Sequence, residues 1–245
     1  MIKYFLTINI GSSDHSVALF DAQEKFIEKR DYEEIDALMR SRKLTIENTY
    51  GAVASVKDSN FQDIPIKHQL TRRLLLHKVF FDMPVSYSET IQDYRLANAY
   101  FLFKQNNKSK MIIDCDHITT IDFVTSEGFQ GGHTIPSFQR MKNIFRYDEY
   151  FKHFVEDENQ TANYTNRLPQ DNKESLIQGS LAAYYFAIKG IIKEYSPEEI
   201  YLTGFNGTNV ADFLKPSVKK MGSAMYYNGD LIHKSLCFIA RKVQR

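Results

Sequence analysis

The order of the β-like segments repeats within the chain, and this repeat is the feature that most limits the folds available to it. Three short β-like runs open the first half: Ile2–Ile10 and His15–Phe20 are rich in β-branched and aromatic residues, and Lys25–Arg30 follows as the returning strand of a hairpin. Three further runs of the same kind open the second half, over Met111–Asp114, Ile118–Thr125 and Phe129–Ile135. The same order at two places predicts an internal duplication of an α/β unit.

Helical and further strand segments follow each group of three strands. In the first half we expect a helix, a strand, a helix, a strand and a helix, over Glu33–Arg42, Thr49–Val56, Ile66–Lys78, Val79–Met83 and Tyr94–Gln105. In the second half we expect two helical segments, a strand and two helices, over Ser137–Phe154, Lys173–Glu194, Glu198–Gly204, Asn209–Pro216 and Gly229–Gln244. The polar run Lys104–Lys110 separates the halves, so the expected domains are residues 1–106 and 107–245.

Charge and cysteine content exclude several classes of protein. The chain has 31 basic and 30 acidic residues, so nothing in its net charge favours a nucleic-acid or anionic membrane partner. Two cysteines, Cys115 and Cys237, are too few for a disulfide framework and favour a reducing compartment. The first residues lack the pattern of a signal peptide, and no apolar run approaches the length of a membrane span. We therefore expect a soluble, cytoplasmic protein.

Short motifs occur in a fixed order along the two halves. They are Asn9-Ile10-Gly11-Ser12-Ser13, Gln92-Asp93-Tyr94-Arg95, Asp114–Asp122, Gly131–Ser137, Asn172–Gly179 and Leu202-Thr203-Gly204-Phe205. Through this ordered set, which covers nearly the whole chain, the sequence resembles the type III pantothenate kinases. That family lies within the superfamily of acetate kinase, sugar kinases, Hsp70 and actin. The resemblance implies two duplicated ribonuclease H-like lobes, the actin-like ATPase fold.

The resemblance also implies an activity and a set of site residues. The activity is ATP-dependent phosphorylation of pantothenate to 4'-phosphopantothenate, the first step of coenzyme A synthesis, by a homodimer that uses Mg²⁺ and a monovalent cation, K⁺ or NH₄⁺. The implied nucleotide contacts are Asn9, Gly11, Ser12, Ser13, His117, Thr119, Thr120 and Gly204. The implied metal ligands are Asn9 and Asp114, the implied pantothenate contacts are Tyr87, Arg95 and Gly179, and the implied catalytic residues are Asp93 and Arg95.

The chemistry of three of these residues suits such roles. Gly11 lets the backbone approach a phosphate, although the same motif is also compatible with a plain β-turn. The planar fork of Arg95 can bind a carboxylate or a phosphoryl group, although an exposed arginine at a helix start would look the same. Asp114 ends an apolar run, where a carboxylate is costly unless it is paired or binds a metal.

Four positions depart from the family pattern. Asn9 replaces an aspartate and offers Mg²⁺ an oxygen without charge. Tyr94 replaces the aspartate that serves as general base, and a phenol is a poor base at neutral pH. Asp93 lies one residue earlier, where it is either a displaced base or a solvated aspartate at a helix start. Asp116 and Phe205 each replace a glycine, and a carboxylate near a polyphosphate is repulsive.

These departures leave two main interpretations. Either the loop after Asp114 has changed shape and ATP is held differently, or the chain has lost nucleotide binding and acts as a ligand-binding or regulatory accessory protein. A kinase acting on another hydroxylated acceptor is a third possibility. A metal site formed by Asp116, His117 and His133 is conceivable, but the spacing matches no strong zinc pattern.

Overall fold

The computed structural model describes residues 2–11, 15–55, 64, 66–155 and 164–244. Within these residues the strands are β1 Tyr4–Ile10, β2 His15–Asp21, β3 Phe26–Asp31, β4 Thr49–Ser55, β5 Lys67–Leu70, β6 Leu75–Leu76, β7 Val79–Phe80, β8 Met83–Pro84, β9 Lys110–Cys115, β10 Ile118–Thr125, β11 Gly128–Pro136, β12 Glu199–Thr203 and β13 Ala224–Tyr227. The α-helices are α1 Ile35–Arg42, α2 Asp93–Phe103, α3 Phe138–Asn143, α4 Asn172–Tyr195, α5 Gly207–Met221 and α6 Leu231–Gln244. Short 3-10 turns cover Tyr32–Glu34, Thr71–Leu74, Ile144–Tyr147 and Lys152–Phe154.

Two five-stranded sheets have the same strand order, which confirms the predicted duplication. The first sheet has the order β3-β2-β1-β4-β5, and the second has the order β11-β10-β9-β12-β13. In the first sheet β1 pairs antiparallel with β2 and parallel with β4, and β4 pairs parallel with β5. In the second sheet β12 pairs parallel with both β9 and β13. Each half is therefore an α/β unit with three adjacent parallel strands.

The chain divides into two compact units. Unit 1 comprises residues 1–107, 124–131 and 230–245, and unit 2 comprises residues 108–123 and 132–229. The first boundary between the units falls after Asn107, within the polar run Lys104–Lys110. The final helix α6 joins unit 1 because its buried face packs on β1, β4 and α2.

The core of unit 1 lies on both faces of its sheet. One face packs Leu6, Ile8 and Ile10 of β1 against Leu38 and Met39 of α1. The other face meets α6, where the buried ring of His233 bridges the strands. Its Nδ1 lies 2.8 Å from the Thr7 hydroxyl and its Nε2 lies 3.0 Å from the Ser16 hydroxyl. Burial, together with the charge of Lys29, lowers the pKa of His233 to about 3, so the ring is neutral.

The core of unit 2 lies between its sheet and two amphipathic helices. Apolar residues of β9, β10 and β12 pack against one face of α4 and of α5. The members on these elements are Met111, Ile113, Ile121, Ile200, Leu202, Ile177, Leu181, Ile188, Val210 and Leu214. Cys115 is fully buried in the same cluster, and burial raises the pKa of its thiol, as expected for a structural cysteine. No helix in the described part of the chain is long and apolar enough to cross a membrane.

Several sequence-based expectations were wrong or incomplete. The helix expected over Ile66–Lys78 is instead β5, a 3-10 turn and β6, because residues 67–70 add a parallel strand beside β4. The single strand expected over Val79–Met83 is two short strands, β7 and β8, joined by a tight turn. The short helix expected over Asn209–Pro216 extends over Gly207–Met221 with Pro216 inside it, and β13 was not predicted.

Candidate functional site

The carboxyl ends of β1 and β4 lie side by side in unit 1. In the parallel register Asn9 pairs with Ala54 and Ile10 pairs with Ser55. Gly11 follows directly, and its carbonyl oxygen accepts a hydrogen bond of 3.2 Å from Nε2 of His15. Ser12 and Ser13, which the sequence assigned to phosphate binding, lie outside the described residues. Ligands of open α/β sheets bind outside the carboxyl ends of the strands, so this edge is a candidate binding edge.

Asp93 begins α2 and docks on the end of β4. Its Oδ2 accepts a hydrogen bond from the backbone N–H of Ser55 at 3.3 Å, and its Oδ1 accepts one from Nε of Arg72 at 3.0 Å. The residue is 1 % exposed, so the alternative of a solvated aspartate is wrong. Burial raises the pKa of Asp93, while the guanidinium of Arg72 and the N–H of Ser55 oppose that rise. A buried carboxyl with a raised pKa has the properties of a general base.

The guanidinium of Arg95 lies against two aromatic rings that contact each other edge to face. Its guanidinium carbon lies 5.0 Å from the ring centre of Tyr87 and 6.0 Å from that of Phe129. Its Nη1 donates a hydrogen bond of 3.3 Å to Oε1 of Gln92. The side chain is 2 % exposed, so the alternative of an exposed arginine at a helix start is wrong. Contact with the face of an aromatic ring holds the guanidinium in place.

The pair of rings is fixed by the backbone around Tyr87. The backbone N–H of Ser86 donates a hydrogen bond of 2.8 Å to the carbonyl oxygen of Phe129. Gly131 has φ +103°, and a side-chain carbon there would lie 3.5 Å from the Tyr87 ring. The positive φ favours glycine at this position, whereas a side-chain carbon would make only an ordinary contact with the ring.

In unit 2 the ends of β9 and β12 form a second edge. Asp114 pairs with Thr203 in the parallel register, and Gly204 follows with φ +82°. A side-chain carbon at Gly204 would lie 2.6 Å from Oδ1 of Asp114 and 2.9 Å from backbone atoms of Cys115. Gly204 thus has no room for a side chain, and the Asp114 carboxylate lies directly against the backbone of this turn.

Two consecutive threonines of β10, Thr119 and Thr120, point to opposite faces of the sheet. Thr119 faces the core, where its hydroxyl lies 2.7 Å from that of Tyr184. Thr120 is 2 % exposed, and its hydroxyl oxygen has no hydrogen-bond partner among the described residues. A buried hydroxyl without a partner is costly, which suits a group that meets a ligand. Asp122 lies on the same face as Thr120 and is also buried.

The remaining residues singled out in unit 2 are more exposed. Asp116 is half-buried and His117 is exposed, both in the turn between β9 and β10. Gly179 lies in the middle of α4 with open space around its α-carbon. The part of the chain that the structure describes contains no group of three His, Cys, Asp or Glu side chains that could hold a metal ion. His133 instead lies 3.2 Å from the hydroxyl of Tyr195.

Sequence reasoning missed two residues that shape these edges. Arg72 was assigned to a helix that does not exist, so its contact with Asp93 was not foreseen. Its Nη2 also donates a hydrogen bond of 2.7 Å to the carbonyl oxygen of Ser55. Phe129 was assigned correctly to a strand, but its contact with Arg95 joins distant parts of the sequence, and no local signal could reveal it.

Comparisons with solved structures show the same fold. A protein of Campylobacter jejuni assigned to the Baf family of transcriptional activators is 17% identical, with a TM-score of 0.60 and 98% of each chain covered. A Sinorhizobium meliloti protein assigned as a 2-dehydro-3-deoxygalactonokinase is 9% identical, with a TM-score of 0.61 and 98% of this chain and 99% of that chain covered. A ROK-family glucokinase of Streptomyces griseus, solved with glucose and AMPPNP, is 10% identical, with a TM-score of 0.51 and 98% of this chain and 99% of that chain covered.

No protein-family model matches the chain. At these identities the likeness is one of fold. The chain therefore has an α/β fold of two duplicated ribonuclease H-like units, the actin-like ATPase fold.

Two glycine substitutions test the packing of the unit 2 edge. Gly204→Ala introduces a carbon against Asp114 and Cys115 at a positive φ, so we expect a loss of unfolding free energy of about 1–3 kcal/mol. Gly179→Ala adds the same carbon in open space inside a helix and should gain up to about 1 kcal/mol. Urea unfolding followed by circular dichroism measures both. Equal effects of the two substitutions would contradict the close contact at Gly204.

Proposed function

We propose that this protein is an ATP-dependent phosphotransferase that phosphorylates the terminal hydroxyl of pantothenate. The observation that carries the proposal is the pair of buried charged residues at the start of α2. Asp93 and Arg95 are 1 % and 2 % exposed, and Asp93 docks beside the strand end that holds Asn9 and Gly11. A carboxylate for proton transfer and a guanidinium for a substrate carboxylate are the groups that such an acceptor needs.

In this reaction Asp93 would accept the proton of the acceptor hydroxyl. The hydroxyl oxygen forms a bond to the γ-phosphorus of ATP, the bond from that phosphorus to the β-phosphate oxygen breaks, and ADP leaves. The raised pKa of Asp93 increases its affinity for the proton, and Arg72 keeps the carboxyl oriented through its Nε. Tyr94 is not needed as a base in this arrangement.

Arg95 would bind the carboxylate of pantothenate. Its guanidinium is stacked on Tyr87, so the side chain is already ordered before a ligand arrives. Less conformational entropy is then lost when the carboxylate binds. The planar fork also selects a carboxylate over an uncharged group, which would give the site its preference for an acid.

The nucleotide would bind at the carboxyl ends of the unit 2 strands. Thr120 offers a buried hydroxyl without a partner, and the tight turn at Gly204 brings the backbone close to Asp114. Within unit 2, the carboxylate of Asp114 would offer Mg²⁺ the oxygen ligands that it prefers, and K⁺ or NH₄⁺ would also find oxygen ligands near Asp114. Bound Mg²⁺ would offset the phosphate charge. The S. griseus glucokinase of the same fold was solved with the ATP analogue AMPPNP, which supports this choice of nucleotide.

The second candidate is a ligand-binding or accessory protein without kinase activity. Two observations favour it: both carboxylate oxygens of Asp93 already accept hydrogen bonds, and Asp116 places a negative charge in the turn after Asp114. The C. jejuni protein of the same fold carries the name of a transcriptional activator, although that name concerns that protein alone. The two candidates differ in whether ADP is formed.

The Asp93→Asn variant tests the proposed base. The wild-type protein should convert ATP and pantothenate to ADP and phosphopantothenate in K⁺ buffer with Mg²⁺, and the variant should lose about 10²–10⁴-fold in kcat. Because the base must be ionised, the wild-type rate should fall as pH drops through the pKa of Asp93, which burial raises above its ordinary value.

A coupled assay for ADP measures both effects. The control is Glu89→Gln, which changes an exposed residue of the same unit. Pantothenate binding by calorimetry without ADP formation in the wild type would favour the accessory protein.

The Arg95→Met variant tests carboxylate recognition. Methionine keeps an apolar side chain against the two rings and removes the charge, so KM for pantothenate should rise at least roughly tenfold. KM for the alcohol analogue of pantothenate, which lacks the carboxylate, should stay close to the wild-type value. An equal change for the acid and the alcohol would show that Arg95 does not bind the carboxylate.

The Asp116→Gly variant tests the effect of charge in the turn after Asp114. If the carboxylate repels the phosphates, its removal should tighten ATP binding several-fold, and the gain should shrink at high salt. Calorimetry with ATP and Mg²⁺ at two salt concentrations measures this. Unchanged affinity would show that Asp116 points away from the nucleotide.

A further inference from the structure

Arg72 and Asp93 enclose the last residue of β4 in a closed set of hydrogen bonds. The backbone N–H of Ser55 donates to Oδ2 of Asp93 at 3.3 Å, and the carbonyl oxygen of Ser55 accepts from Nη2 of Arg72 at 2.7 Å. Nε of Arg72 donates to Oδ1 of Asp93 at 3.0 Å, which closes the set. The end of β4, the start of α2 and the 3-10 turn Thr71–Leu74 are therefore joined at one point.

The 3-10 turn that carries Arg72 is itself fixed on the sheet. The hydroxyl of Thr71, which is fully buried, donates a hydrogen bond of 2.8 Å to the carbonyl oxygen of Val53 in β4. Leu70, the last residue of β5, pairs with the same Val53 in the parallel register. The backbone beside Arg72 is thus anchored to β4, so the guanidinium reaches the strand end from a fixed origin.

The two members of this ion pair differ in their access to solvent. The side chain of Asp93 is 1 % exposed, whereas that of Arg72 is 39 % exposed. A carboxyl buried to this extent stays ionised only when a nearby positive charge and hydrogen-bond donors offset the loss of hydration. A guanidinium keeps its charge throughout the pH range of protein function, so Arg72 supplies that offset at every working pH.

We propose that Arg72 is a positioning residue for the phosphotransfer reaction, which holds the carboxylate of Asp93 ionised and in a fixed orientation. This inference rests on the proposed function, in which Asp93 is the base. Ser55 pairs with Ile10, the residue before Gly11, so the same hydrogen bonds hold the base beside the end of β1. Without the guanidinium, burial would favour the protonated carboxyl, which cannot accept a proton from the acceptor hydroxyl.

Two substitutions separate the charge of Arg72 from its geometry. Arg72→Gln removes the charge, so the proton affinity of Asp93 should rise about tenfold or more, and the acid limb of the kcat profile should move to higher pH to match. Arg72→Lys keeps the charge but replaces the planar fork with one ammonium. Its acid limb should stay near that of the wild type, while kcat on the plateau falls several-fold.

The control is Arg73→Gln, which removes the neighbouring exposed arginine and should change neither the acid limb nor the plateau. The coupled assay for ADP gives kcat as a function of pH for all four proteins. NMR titration of the side-chain carboxyl carbon of Asp93 measures its protonation without any need for activity, and the loss of that signal in Asp93→Asn identifies it.

The outcomes separate this inference from the proposed function. If Arg72→Gln shows the acid limb and the NMR titration of the wild type, the positioning role is overturned, while the phosphotransferase proposal stands. A fall in kcat by the same factor at every pH, with unchanged titration of Asp93, would show that Arg72 supports only the fold, and would also overturn it. If Arg72→Gln does not fold, Arg72→Lys decides, because a wild-type kcat in that variant overturns the role. If the wild-type protein forms no ADP, the proposed function itself fails.

Discussion

The parallel pairing of β1 with β4, and of β9 with β12, is the constraint on which both halves of the molecule depend. Parallel strands cannot be joined by a tight hairpin, so each pair needs a long crossover that returns the chain to the same end. The carboxyl ends of both strands then meet at one edge. In unit 1 this places Asn9 beside Ala54 and Asp93 on Ser55. In unit 2 it places Asp114 beside Thr203, one residue before Gly204.

Burying charged side chains costs free energy, and neighbouring hydrogen-bond donors and aromatic rings offset that cost. Asp93 would be unstable alone at 1 % exposure, but Arg72 and the N–H of Ser55 supply donors to both of its oxygens. Arg95 gains its stability from the faces of Tyr87 and Phe129. Residues held in this way are oriented before any ligand binds, which is the condition that catalysis and selective binding require.

Much of the fold could be predicted from the sequence because the strands are marked by local pattern. Hydrophobic periodicity and composition predict the first three strands of each half, the helix after Gln92 and the last helix. The helix predicted from Ile66 to Lys78 was wrong because the apolar residues there have helical spacing, whereas pairing with β4 makes residues 67–70 a strand. Tertiary pairing outweighs local preference in such short segments.

The candidate site was predictable in part. Asp93, Arg95, Asp114 and Gly204 came from ordered motifs, and the structure gives each of them close, specific contacts. Their burial and their partners could not be read from the sequence, because Arg72 and Phe129 reach them from distant segments.

The central claim, that the strand ends of unit 2 bind the phosphates of ATP, is tested most directly by a crystal structure with AMPPNP and Mn²⁺. The account predicts density for the phosphate chain beside Gly204 and Thr120, with an anomalous Mn²⁺ signal next to the Asp114 carboxylate. The account would be contradicted by ordered nucleotide at another surface, or by the absence of nucleotide density at this edge in crystals saturated with AMPPNP.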